Sequence, residues 1–297
     1  KLREGATEDE EMRLLGLLNS STVCFWMKQI AHNKGDSTDQ HGARTTGDPA
    51  FNTFAFNATL VGRIPIVAHG PAKYAKELDS LGQELCSCVS LASDRPGDRK
   101  YQGELKETFA SVKSRMISMQ EELDWECYSL YSLLENDMCY QGETLPNIRV
   151  GERAFEIVLA RQLLAGKVQS GWFRRHNVEP VLEVPSGWPE DYRSLVEARI
   201  AVIESNQEIG LIESPEYKRR WHTESWEDQQ QRALQHWLLD RLESHSYWPD
   251  SQESRLQSVA KLADKASSDQ EFMQVAAIYR GRDDFDLAAL IADLVES

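Results

Sequence analysis

The feature that most limits the fold is a pair of long apolar stripes at helical spacing, separated by one strong break. Tyr74, Leu78, Leu81, Leu85 and Cys88 recur at alternating four- and three-residue steps. Phe109, Val112, Met116, Met119, Leu123, Cys127, Leu130 and Leu134 form a second, longer stripe. Such spacing puts each set on one side of a helix. Between them lie Asp94, Arg95, Pro96, Gly97 and Asp98, a run that no helix continues through. The pattern predicts an antiparallel helical hairpin. Its second arm should hold about thirty residues and reach roughly 45 Å at 1.5 Å per residue. Consecutive four-residue steps around Leu123 put a stutter in the heptad. The methionines of the stripe read as core filler rather than ligands.

Ahead of the hairpin, Met12, Leu15, Leu18, Thr22, Phe25 and Gln29 predict one buried helix over residues 8–31, with Gly35 as its stop. Residues 35–50 are polar and long enough for a functional loop. Phe54, Phe56, Ala58 and Leu60 then alternate as in a half-buried strand over 51–60. Pro65 limits residues 64–67 to an edge or terminal strand. Beyond the hairpin, residues 137–151 read as a connector and most of the rest as short helices. Pro189 opens one helix, Ser225 with Asp228 caps another, and three more fall within 255–297. The expected fold is mainly α: a helical bundle with a long antiparallel hairpin and a small β element. The expected divisions are residues 1–70, 71–150 and 151–297. No repeat period is present, which excludes a solenoid.

Composition enters as a limit on partners. The chain has 297 residues, 33 Lys and Arg against 48 Asp and Glu, and a formal net charge of -15. That length suits one large or two ordinary domains. An average surface this acidic repels a phosphate backbone, so contact with nucleic acid requires a local basic patch. No apolar run is long enough to span a bilayer, and no signal peptide opens the chain. It begins at Lys1 rather than Met, which reads as a piece of something longer. Cys24, Cys86, Cys88, Cys127 and Cys139 are odd in number and lack zinc-knuckle spacing. They read as reduced, mostly buried thiols of a cytoplasmic protein.

No P-loop or dinucleotide glycine loop, no His-Glu-x-x-His and no Gly-x-Ser-x-Gly occurs. Most of the abundant carboxylates read as lying on the polar faces of helices. Three basic clusters with aromatic neighbours remain. The first holds Lys28, His32, Asn33 and Lys34, with Arg44 in the following loop. The second is Trp172, Phe173, Arg174, Arg175 and His176, and the third Tyr217, Lys218, Arg219, Arg220, Trp221 and His222. Such side chains can clamp phosphates, read base edges or stack on a base. They can equally form a solvated patch, pack Arg on Trp, or pair with surface acids.

Four blocks carry a family resemblance: LLGLLNSSTVCFWMKQIAHNKG at 14–35, FAFNATL…IPI at 54–66, EELDWECYSLY at 121–131 and IESNQEIGLIESPEYKRRW at 203–221. Together they resemble the C-terminal part of the PglX family, adenine-specific DNA methyltransferases of BREX and phage growth limitation defence systems. The first block is shared loosely with many methyltransferases; the last is the most specific. The resemblance implies N6-adenine methylation of duplex DNA from S-adenosylmethionine, by a catalytic domain bearing Asn-Pro-Pro-Tyr/Phe and a glycine-containing cofactor loop. Neither motif occurs here, so this chain alone is expected to be inactive and to hold neither catalytic residues nor cofactor. It then corresponds to the end of a target-recognition domain (1–70), the hairpin behind it and a helical extension. Asn19, Ser20 and Ser21 are expected in polar packing. Lys28, His32, Asn33 and Lys34 are the leading DNA contacts, followed by Arg44, Arg174, Arg175, Lys218, Arg219 and Arg220. The alternative is an interaction module that docks the catalytic half, other BREX components or a phage protein.

Overall fold

A computed structural model describes residues 5–35, 52–92, 94–221, 224–248 and 258–296. Among them are thirteen α-helices and one two-stranded antiparallel sheet. The mainly helical class and the small β element are therefore as the sequence predicts. The chain divides into two compact units: residues 1–82 with 113–222, and residues 83–112 with 223–297.

The first unit opens with α1 (Glu8–Leu18) and α2 (Ser21–Ile30), where one helix was expected. Side chains at the junction compete with the helical backbone. Asn19 Nδ2 donates to the Leu15 carbonyl at 2.8 Å, and Ser20 Oγ donates to Leu17 while capping the Val23 N–H. Thr7 and Glu10 close a reciprocal cap at the start of α1. Gly16 lets α1 come close to the following segment, since a Cβ there would lie 2.8 Å from Pro71 Cγ. The chain leaves α2 into β1 (His32–Gly35), so Gly35 ends a strand and not a helix. β2 (Thr53–Ala55) pairs with it, with His32 opposite Ala55 and Asn33 opposite Phe54. The expected strand over 51–60 is shorter than predicted because Asn57 caps α3 (Ala58–Val61). Residues 64–67 form no strand.

The hairpin arms are α4 (Ala72–Leu91) and α5 (Arg99–Leu130), the latter 32 residues long. Both arms contribute to both units. In the first unit Leu123 and Cys127 of α5 pack with Leu17, Tyr74 and Leu78. The unit is completed by α6 (Ala154–Leu164), α7 (Trp172–His176), α8 (Glu190–Ser205) and α9 (Gln207–Ile212).

The second unit has a more apolar interior. Cys88, Leu105 and Phe109 of the hairpin pack on Trp226, which opens α10 (Trp226–Glu243). A 3-10 turn at His245–Tyr247 precedes α11 (Val259–Ser267), α12 (Gln270–Arg280) and α13 (Leu287–Glu296). Leu234, Leu238, Phe272, Val275, Leu290 and Ile291 fill the core among these helices. Ser225 accepts from the Asp228 N–H, as the cap pattern predicts. Gly281 ends α12 at a φ of 68°, which glycine adopts without strain.

Candidate nucleic-acid interface

The first and third basic clusters meet in the first unit. Phe25 of α2 stands edge-on to Tyr217, ring centroids 5.0 Å apart. Gln29 Nε2 donates to the Tyr217 hydroxyl at 3.2 Å. Lys28 Nζ donates to the Glu216 carbonyl and lies 5.3 Å from the Phe54 ring and 5.6 Å from the Tyr217 ring. Burial pulls the Lys28 ammonium below the ordinary lysine range. This residue is thus already engaged inside the protein. His32, Asn33 and Lys34 follow on β1 and are exposed. Arg44 lies outside the described residues.

Arg219 and Arg220 are exposed beside this seam, and the Arg219 guanidinium stacks 4.8 Å from the buried Trp221 ring. That geometry suits an arginine that presents its fork outward from a fixed base. In the second cluster Trp172 and Phe173 are buried, Arg174 is exposed and Arg175 is half-exposed. Arg153 connects it to the third. Its Nη1 donates to the Arg219 carbonyl at 3.0 Å, and its guanidinium lies 5.7 Å from the Trp172 ring.

Lys218 is placed differently from the expectation of a DNA contact. Its side chain is 0% exposed. Nζ lies 2.8 Å from Asp124, 2.8 Å from Glu213 and 3.4 Å from Glu121. An ammonium removed from water needs such partners, and no phosphate can reach it there. Burial pulls its pKa down, but Asp124, Glu121 and Glu213 outweigh that and hold it above the ordinary lysine range.

Most of the acids were expected on polar helix faces, yet Glu121, Glu122, Asp124, Glu156 and Glu213 are all buried. Each has a basic partner or a bound donor. Glu122 takes Arg199 Nη2 at 2.8 Å on both oxygens. Glu156 takes Arg153 Nε at 3.0 Å and Nη2 at 2.8 Å, plus the Trp172 indole N–H at 2.9 Å. Glu213 accepts from the Tyr128 hydroxyl. Asp124 accepts from the Ser21 N–H at 2.8 Å and Oγ at 2.7 Å. Burial pushes the Glu121 carboxyl up to about 7, against the pull of Lys218. The sequence did contain a signal for this. The EELDWE run at 121–126 puts carboxylates all round a helix that also carries an apolar stripe, so some had to turn inward. Asn19, Ser20 and Ser21 have the polar packing role expected of them.

Among the described residues no group of His, Cys, Asp and Glu side chains is arranged to hold a metal ion. No helix there is long and apolar enough to cross a membrane.

With this geometry in place, comparison with known proteins gives the class. The chain belongs to the family described as a domain of unknown function, DUF7008, which it matches over residues 116–297. It is also similar to the adenine-specific methyltransferase PglX of Streptomyces coelicolor, with 41% identity across 303 residues and 99% of this chain covered. The chain spans 25% of that relative's length. The resemblance to PglX read from the sequence therefore holds. No solved structure matches.

A methyltransferase relative implies S-adenosylmethionine. A cavity of about 560 Å³ in the first unit is lined by Ser132, Glu135, Asn136, Met138, Asn206 and Glu208 among others. The lining has no aromatic face for an adenine and no glycine-rich turn. These residues do not fit the cofactor.

Proposed function

We propose that the chain is the DNA-recognition and scaffold portion, from the C-terminal part, of a BREX-type N6-adenine DNA methyltransferase. Methyl transfer and S-adenosylmethionine belong to the catalytic half of that protein. The contact with duplex DNA is made by Lys34, His32 and Asn33 on β1 and by Arg219 and Arg220, with Arg174, Arg175 and Arg44 as further cations. Lys28 positions the seam as much as it contacts phosphate, and Lys218 has no direct part. One observation supports this reading above the others. The bond from Lys28 to the Glu216 carbonyl joins two basic segments that lie far apart in sequence. A chain with a net charge of -15 gains from gathering its cations in one place if its partner is a polyanion.

The test is fluorescence anisotropy of the chain with a labelled duplex at two salt concentrations. Binding should weaken steeply with salt. Replacing Lys34, Arg219 and Arg220 together by Gln should lower the log–log salt slope by about two to three. Binding with an unchanged slope in the triple variant contradicts the assignment.

A second reading, docking of the catalytic half, is favoured by apolar side chains left open in the first unit. Phe56, Val61 and Ile66 are 54%, 45% and 53% exposed. Association through such side chains is insensitive to salt, so the same titration separates the two readings.

A further inference from the structure

All three basic segments are anchored in the same buried polar network. Ser21, the first residue of α2, gives both its N–H and its hydroxyl to Asp124, at 2.8 and 2.7 Å. The other end of α2 carries Lys28 and leads into His32 to Lys34. The same Asp124 takes the Lys218 ammonium at 2.8 Å, and Lys218 directly precedes Arg219 and Arg220. Gln120 reinforces the junction by donating to the Asn19 carbonyl and to Asp124. Lys218 continues the network to Glu213 and Glu121, and its ammonium sits 5.4 Å from the Phe155 ring. Arg153 lies 4.6 Å from the same ring, binds Glu156 with two nitrogens and holds the Arg219 carbonyl. Glu156 in turn takes the indole N–H of Trp172, the first residue of the helix that carries Arg174 and Arg175.

A buried lysine among three carboxylates is a costly way to hold a fold together, because an apolar core of equal volume often does as well. Its directional demand is what an apolar core lacks: the ammonium must lie 2.8 Å from both Asp124 and Glu213 and 3.4 Å from Glu121 at once. We propose that Lys218, with Asp124 as its partner, is a positioning residue that holds the three basic segments in register toward duplex DNA. This rests on the DNA-facing reading above and adds to it a residue that touches no DNA.

The test uses the whole chain and two variants, Lys218→Met and the milder Ser21→Ala. Amide hydrogen exchange is read first, without DNA. Loss of either contact should raise exchange in residues 20–30 and 214–221 together. If Lys218→Met fails to fold, Ser21→Ala carries the same expectation. Unchanged protection in one segment while the other loosens overturns the inference. Anisotropy with a duplex is read next, at temperatures where the variant is folded. Lys218→Met should weaken binding about tenfold at low salt and lower the salt slope by about two, although no exposed cation has been removed. A folded Lys218→Met with the wild-type slope shows that the lysine serves stability alone, and the inference fails while the DNA-facing reading stands. Wild-type protein that does not bind a duplex at all removes that reading, and the positioning role with it.

Discussion

The two units solve the burial problem in opposite ways. The second keeps its charges at the rim: Asp269 caps α12, accepts from Arg241 at 2.8 Å and from Tyr247 at 3.0 Å, and leaves the interior to leucine, phenylalanine and valine. The first buries Arg153, Arg199, Lys218 and six carboxylates. Apolar packing tolerates small shifts, because its energy follows area rather than direction. A buried ion pair does not, because a misplaced partner leaves a charge unpaired. The comparison teaches that the unit carrying the basic segments is the one built for fixed geometry.

The sharpest way to break the contrast is to unpair a buried charge. Arg199→Met leaves Glu122 buried without its guanidinium and strands the Met138 carbonyl that Arg199 also binds. We expect a loss of about 3–5 kcal/mol, read as an early urea transition of the first unit. A loss below about 1 kcal/mol would mean that the pair is solvated in solution.

A smaller effect separates the units by pH. The folded-state pKa of Glu121 is raised, to about 7, above its unfolded value. Its contribution is therefore fully present below an unfolded pKa of about 4.3 and is lost as pH rises through about 7. The first unit should lose on the order of 3–4 kcal/mol over that window from this group. Glu121→Gln should flatten the profile and make the protein relatively more stable at pH 8. Urea midpoints across pH check this, and an unchanged profile in the variant sinks it.

The smallest effect lies in the second unit. Ser225→Ala removes the side-chain cap of α10 and should cost about 1 kcal/mol, with no change in pH dependence. Thermal melts followed by circular dichroism measure it. A loss several times larger would show that the second unit also depends on directional polar contacts.

The same contrast explains what could be read from sequence. The hairpin arms, the Ser225 cap and the three terminal helices are apolar stripes with local signals, and periodicity finds them. The break between α1 and α2 was missed because Asn19 and Ser20 lie within an unbroken apolar period, and their competing side-chain bonds leave no trace in it. Residues 32–35 pair with residues 53–55, which lie well apart in sequence, and a three-residue strand is too short for alternation to define. Lys34, Arg174, Arg219 and Arg220 are exposed, whereas Lys218 is buried. Nothing in the run Tyr217 to Trp221 marks the first cation, Lys218, as the buried one. That is decided by Glu213, five residues away, together with Asp124 and Glu121, far away along the chain, and the distant pairings are invisible to local pattern.

In this reading Asp124 and Lys218 act as one unit at the centre of the network. A double-mutant cycle of Asp124→Asn and Lys218→Met, followed by urea denaturation, tests it most directly. We predict strong coupling, on the order of 2–3 kcal/mol, with the double variant less damaged than the sum of the single ones. Additive effects within about 0.5 kcal/mol would contradict the account.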